Sequence, residues 1–229
     1  MSFGGKMKAV TFSYDDGIFQ DIRLVGIFKK YGLKCTFNLN SGIMTNDSKW
    51  ECCGKPTFRI NKSEIADVYT GHEIAMHFLT HPHPAELSDD ELQKEIAEDI
   101  KNLEVLFNQK IVGSAYPYGE YDERIISALK RNGIKYARTV ESTYNFNIQH
   151  NLLEFKPTCH HNDDRLMELA EEFVSSKPDK PMLFYIWGHS YEFDGYENWE
   201  MFEQFCKYIS NRDDIFYGTN TEVFEQLDT

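Results

Sequence analysis

Short runs of β-branched and aromatic residues recur along the chain between longer amphipathic segments. The strongest strand candidates are Ala9–Tyr14, Cys35–Asn40, Glu73–His77, Val112–Tyr116, Tyr136–Val140, Met182–Trp187 and Ile215–Tyr217. Helical patterns lie between them at Phe19–Tyr31, Ser63–Tyr69 and Asp122–Arg131. Gly32, Gly71 and Gly133 follow these three, and glycine takes the left-handed backbone that closes a helix without steric cost. The clearest helix start is Ser88. Glu91, three residues on, completes a capping-box spacing, and Leu92, Ile96, Ile100, Leu103 and Leu106 then fall on one face. Asp163–Ser175, Trp199–Ser210 and a short helix after Thr221 complete the set, with Thr219 and Glu222 repeating the capping-box spacing. Thr45–Asn61 and Glu141–Thr158 read as irregular, their aromatic residues packing the loops, with cleft walls as the alternative.

Strand-helix alternation of this kind predicts an α/β fold, a distorted (β/α) barrel with seven or eight mostly parallel strands. No linker-like composition, repeat or low-complexity stretch interrupts residues 1–229, which reads as a single domain. A chain of this length buries roughly 70–75% of its extended surface, so a sizeable core is available. In such a fold polar chemistry collects at the C-terminal ends of the strands. The unusual residues map there: Asp15 and Asp16 follow the first strand, His77 ends the third, Tyr116-Pro-Tyr-Gly119 ends the fourth, Arg138 lies near the end of the fifth, and His189 follows Trp187-Gly188.

Asp15-Asp16-Gly17 is the most informative of these. Side chains alternate along a regular strand, so adjacent acids face opposite ways unless a glycine turn presents both to one pocket. Paired there, one acid can hold a cation while the other takes a proton from water on that cation. An acidic turn capping an edge strand remains the alternative. His77 and His81 stand four apart, and a helical turn or tight loop aims both imidazoles at one point. Two imidazoles and one carboxylate leave coordination positions open, the arrangement of a catalytic rather than a structural metal.

These residues carry a resemblance. Thr11-Phe-Ser-Tyr-Asp-Asp-Gly17, His77-Phe-Leu-Thr-His-Pro82 after Gly71-His-Glu-Ile-Ala75, Tyr116-Pro-Tyr-Gly119 and Ile186-Trp-Gly-His189 resemble, in order, the motifs of the metal-dependent polysaccharide deacetylases. These are carbohydrate esterases that include chitin-oligosaccharide and peptidoglycan deacetylases. The resemblance covers nearly the whole chain. It implies a polysaccharide-deacetylase-like catalytic domain that removes N-acetyl groups from a sugar or short oligosaccharide through a metal-activated water. Asp16, His77 and His81 would bind one divalent metal, most plausibly Zn2+. Asp15 would be the general base, His189 the general acid, and the Tyr118 backbone N–H an oxyanion donor. Tyr116, Tyr118, Trp187 and Glu192 are expected at the substrate, with Glu192 also the favoured carboxylate to orient His189 over Glu141, Asp163 and Asp194.

Two positions depart from the pattern. Ala115 stands where the family carries an arginine beside its catalytic aspartate, and Arg138 is the candidate substitute. Phe78 stands where relatives place a Ser or Thr hydroxyl. His160-His161 reads as a solvated loop pair, with a place in the cleft as the alternative. Two other functions stay open: hydrolysis of a non-sugar amide or an O-acetyl ester, and silent carbohydrate binding.

The formal net charge of −13 opposes a nucleic-acid partner. Five cysteines make an odd number, and adjacent Cys52-Cys53 lacks zinc-knuckle spacing, which fits a reducing compartment. Met1–Met7 has no apolar signal core and no stretch approaches a membrane span, so a soluble cytoplasmic protein without membrane partners is expected. Oligomeric state is not legible.

Overall fold

A computed structural model describes residues 2–45 and 47–227. Its order is β1 (Lys8–Asp15), α1 (Asp21–Tyr31), β2 (Thr36–Leu39), β3 (Lys49–Cys52), β4 (Lys55–Phe58), α2 (Ile65–Val68), β5 (Glu73–Met76) and α3 (Asp89–Phe107). There follow β6 (Gly113–Ala115), α4 (Glu123–Arg131), β7 (Tyr136–Arg138), β8 (Cys159–His160), α5 (Leu166–Ser175) and β9 (Met182–Gly188). The chain ends with α6 (Glu192–Gly195), α7 (Trp199–Ile209), β10 (Ile215–Tyr217) and α8 (Asn220–Glu225).

β1 organises the sheet. All eight of its residues are buried, as befits a parallel strand covered on both faces. Its even positions, Val10, Phe12 and Tyr14, pack with Leu24 and Phe28 of α1 and Phe202 and Phe205 of α7. Its odd positions face the inside of the curl. Ala9 joins Tyr136, Tyr185 and Phe224, Thr11 donates to Asn220 Oδ1 at 2.9 Å, and Ser13 accepts from Asn38 Nδ2 at 2.8 Å. A strand period of two therefore delivers the next odd residue, Asp15, to the inner rim.

The sheet runs β7-β6-β5-β2-β1-β9-β8, with every pairing parallel. β10 pairs with Lys8–Val10 while β2 pairs with Ser13–Asp15, so the two lie end to end along one side of β1. The sheet curls until its edges meet through one segment. Phe155 bridges to Arg138 of β7, and three residues later Thr158 N donates to Tyr185 O of β9 at 2.8 Å. This is the distorted α/β barrel expected from the alternation.

Most helix signals behave as read, but α2 is a single turn, Ile65–Val68, that ends at Tyr69 with φ −94° and is not closed by Gly71. Ser88 and Thr219 both form complete capping boxes, and α1 closes at Gly32 with φ +65°. Three further features differ from expectation: a hairpin, the strand β8 and the one-turn helix α6. Inside the stretch read as irregular, β3 and β4 form a hairpin whose turn residues Cys53 and Gly54 have φ +51° and +75°, a primed turn that matches strand twist. Its residues are largely exposed, so no apolar alternation announces it. β8 is only two residues long and is defined by pairing to β9 alone. All five cysteines are free. Among the described residues no helix is long and apolar enough to cross a membrane.

Candidate active site at the sheet rim

Asp15 closes β1 opposite Asn38 of β2, whose Nδ2 donates to Asp15 Oδ1 at 2.7 Å. Strand alternation would send Asp16 away. Instead Asp16 and Gly17 adopt φ +83° and +67°, two successive left-handed residues that bring the second carboxylate back to the rim. Asp16 N donates to Asn38 O at 3.0 Å, so one residue of β2 fixes both acids.

The two acids have different partners. Asp16 Oδ1 lies 3.1 Å from Arg59 Nη2 and 3.9 Å from His81 Nε2. Arg59 also donates to the Asp16 carbonyl and, at 2.9 Å, to Asn40 Oδ1. Burial opposes ionisation of Asp16, but Arg59 and the neighbouring imidazoles prevail and hold its pKa at about 2. Asp15 Oδ2 is ion-paired to Arg138 Nη2 and lies 3.9 Å from His77 Nε2 and 3.8 Å from His189 Nε2. Burial again opposes the charge, yet Arg138 leads the groups that hold this carboxyl below its usual range.

Arg138 reaches Asp15 because β6 and β7 pair Ala115 with Arg138. The cation comes from the neighbouring strand at the register position where the alanine leaves room. The guanidinium is 1% exposed, lies 4.3 Å from the Trp187 ring and donates to Thr139 O at 3.2 Å.

His77 follows β5 and His81 follows a tight loop, not a helical turn, with φ +63° at Phe78 and +56° at His81. Asn40 Nδ2 donates to the carbonyls of His77 and Phe78 and pins that loop. Phe78 itself is buried in the core. His77 Nδ1 lies 2.8 Å from Ala115 O, which can only accept, so the proton sits on Nδ1 and the Nε2 lone pair is free. Burial pushes the His77 pKa down to about 4 and lowers that of His81, so both rings are neutral, the ligand form. One donor atom each from Asp16, His77 and His81 lies within 4.8 Å of the others. This donor set fits a divalent cation.

His189, just past β9, keeps 21% side-chain exposure, with Nε2 toward Asp15 and Nδ1 3.5 Å from Glu192 Oε1. Burial works against its charge. The Glu192 carboxylate, then Asp15 and Asp16, outweigh that cost and raise its pKa to about 9. Beneath, buried Asp21 accepts from Ser190 Oγ at 2.6 Å, Tyr69 OH at 2.6 Å and Ile18 N at 3.1 Å, tying the His189 loop to the Asp-Asp-Gly turn. Burial lifts Asp21 to about 7 against those bonds.

Several expected roles change. Tyr116, expected at the substrate, is buried and donates its hydroxyl to Leu153 O at 2.7 Å. Trp187, also expected there, is 8% exposed and backs Arg138. Tyr118 is the open one, 55% exposed, because φ +57° turns it outward to stack on His83 at 3.9 Å. Glu192 points at histidines, not at an open cleft: His160 Nε2 and His161 Nε2 lie 3.1 and 3.2 Å from its Oε2. The pair His160-His161, read as solvated, is therefore turned inward, with His161 fully buried. Glu141 pairs with Lys156 at the surface, Asp194 accepts from Trp199 Nε1, and Asp163 caps its own turn, leaving Glu192 beside His189. Arg59, Asn38 and Asn40 escaped the sequence reading. An arginine between Phe58 and Ile60 was the one available sign of Arg59.

The family model for polysaccharide deacetylase matches residues 4–137. A Bacillus subtilis (strain 168) protein provisionally described as polysaccharide deacetylase YxkH is 28% identical over 138 residues, 58% of this chain and 45% of that protein. The chain thus aligns with less than half the length of that curated relative. Among solved structures, a Mycobacterium smegmatis protein provisionally described as a polysaccharide deacetylase superposes with TM-score 0.69 at 17% identity, covering 98% of this chain and 91% of that one. A pseudoenzyme of carbohydrate esterase family 4 from Bacillus anthracis superposes with TM-score 0.60 at 17% identity, covering 94% and 65%. At these identities the likeness shows the fold alone.

Proposed function

Because the chain belongs to the polysaccharide deacetylase family, we propose that it is a metal-dependent hydrolase that removes N-acetyl groups from a sugar or short oligosaccharide. One observation carries the reading: the adjacent carboxylates have been given separate tasks, Asp16 facing the His77 and His81 imidazoles and Asp15 paired to Arg138 and facing His189. A family fold shared with a pseudoenzyme does not supply activity, so the side chains must. Asp15, Asp16, His77, His81 and His189 are all present and converge.

Asp16, His77 and His81 would hold one divalent cation, Zn2+ first, although cobalt, nickel and iron accept the same donors. When bound, such an ion supplies Lewis acidity, polarising an acyl oxygen and making water a better proton donor. The residues do the rest. Asp15, ionised and fixed from both sides by Asn38 and Arg138, accepts the proton of the attacking water on Oδ2. The backbone N–H of Tyr118, in the left-handed turn after Pro117, donates to the developing oxyanion. An amine anion is a poor leaving group, so His189 must arrive protonated. Its pKa of about 9 meets that need at neutral pH, and Nε2 delivers the proton.

His189→Ala tests this. On an N-acetylated chitooligosaccharide its turnover should fall about 10²- to 10⁴-fold, whereas hydrolysis of an activated acetyl ester, whose leaving group needs no proton, should fall far less. Equal losses on both substrates would remove His189 from the acid role. Stoichiometric zinc with no acetate released from any N-acetylated sugar by the unmodified protein would overturn the deacetylase reading.

A further inference from the structure

We propose that His160 and His161 are positioning residues that act on His189 through Glu192, forming a four-residue relay of which the catalytic acid is the last member. The proposal deepens the reading of His189 as general acid and rests on it.

The tautomer of His160 decides between two uses of the cluster. His160, His161 and Glu192 bring donor atoms as close together as the Asp16 trio does, and both trios have the composition of a metal site. The backbone N–H of Asn162, however, donates to His160 Nδ1 at 3.2 Å. An imidazole that accepts at Nδ1 carries its proton on Nε2 when neutral. Nε2 of His160 is therefore a donor, and it faces Glu192 Oε2 at 3.1 Å. His77 is the opposite case, its Nδ1 proton given to a carbonyl and its Nε2 lone pair free. One cluster is wired to bind a cation, the other to hold an anion.

Both histidines are fixed by the sheet. β8 pairs His160 with Trp187, and His161 N donates to Trp187 O at 2.8 Å, extending the ladder by one residue. The next residue of β9 is Gly188, where a Cβ would fall 2.0 Å from His161 Nδ1, so only glycine lets that imidazole lie against the strand. Tyr14 and Phe193 stack on His161 with ring centroids 5.4 and 4.1 Å away, and Trp187 meets His160 edge-on at 4.7 Å. Burial pushes the His161 pKa down to about 3, so this ring stays neutral and does not cancel the Glu192 charge.

Glu192 Oε2 thus lies 3.1 and 3.2 Å from two packed rings and accepts at 3.4 Å from the backbone N–H of His189. Oε1 is left for His189 Nδ1. A carboxylate restrained in this way holds the ring that aims Nε2 at the reacting centre, beside Asp15. Loss of His160 removes one of the groups that restrain Oε2 and loosens the carboxylate. The acid should then be misplaced while the base and the cation ligands are untouched.

The test compares His160→Leu and His160→Gln with His189→Ala in zinc-loaded protein, on an N-acetylated chitooligosaccharide and an activated acetyl ester. His160→Leu should lower amide turnover about ten- to a hundredfold and ester turnover by less than about threefold, and the Gln side chain, which keeps an N–H near Nε2, should restore most of the loss. Equal losses on both substrates for His160→Leu, with a selective loss for His189→Ala, would overturn the relay and spare the acid. A failure of His189→Ala to discriminate would instead overturn the acid reading. Long-range ¹⁵N–¹H spectra of the unmodified protein test the tautomer independently of any variant: His160 should carry its proton on Nε2 at neutral pH, and a proton on Nδ1 would overturn the proposal.

Discussion

Alanine at Asp16, His77 or His81 should leave the protein without stoichiometric metal and reduce turnover to the uncatalysed background. Three side chains supply the whole protein contribution to the proposed site, so removal of any one leaves two donors, too few for a firmly held cation. The three variants should differ in stability even though they agree in metal content. His81→Ala removes a part-exposed ring on a loop. His77→Ala also removes the shorter of two bonds to the buried Ala115 carbonyl, which keeps only the Ser114 hydroxyl at 3.3 Å, an additional cost of about 0.5–1.5 kcal/mol. Asp16→Ala strands the buried Arg59 guanidinium, for which about 3–5 kcal/mol is typical of a broken buried pair. Elemental analysis after dialysis, read beside urea unfolding, checks both parts. Full metal occupancy in any one of the three would sink the ligand assignment.

Asp15→Asn should retain metal yet lose about two to four orders of magnitude in turnover, because an amide cannot take a proton and the volume barely changes. The change also leaves Arg138, 1% exposed, without its anion. Stability should therefore fall by about 3–5 kcal/mol, and a second change, Arg138→Met, should recover much of it. Arg138→Met alone separates ionisation from metal binding. Arg138 leads the groups that lower the Asp15 pKa, while burial pushes it up. With the guanidinium gone the burial cost dominates and the folded pKa rises. Since the base must be ionised to act, activity would then be lost at a higher pH on the acid side, so the acidic limb of the rate profile should move upward with metal content unchanged. An unmoved limb would mean that Arg138 only fills space.

Much of the site was legible because its residues sit in short local patterns. Asp15-Asp16-Gly17 needed only a strand, a glycine and the knowledge that alternation must break there. The structure supplies the break one residue earlier than the glycine, at Asp16 itself. His77 and His81 were legible as a pair but not as a geometry, since either a helical turn or a loop brings residues four apart together, and the left-handed Phe78 and His81 settle it as a loop. Tyr116 and Tyr118 were alike in the sequence, flanking one proline, and only the backbone turn sends one into the core and the other to solvent.

The alternation of strands and helices, most of the capped helix ends and the order in which acids and histidines reach one rim can all be read along the chain. These follow from periodicity and from rules spanning a few residues, so a linear reading contains them. The partners of those groups emerge only once the sheet has curled. Arg138 meets Asp15 through the β6–β7 register beside Ala115, Arg59 arrives beside Asp16 from the residue just after a hairpin that has no apolar alternation, and His161 turns inward because Gly188 leaves it room. Each of these contacts joins residues tens of positions apart across a curled sheet. The physical reason is that the charge a buried carboxylate can keep depends on which cation or imidazole the fold places within a few ångströms of it, and local sequence carries no record of that distance.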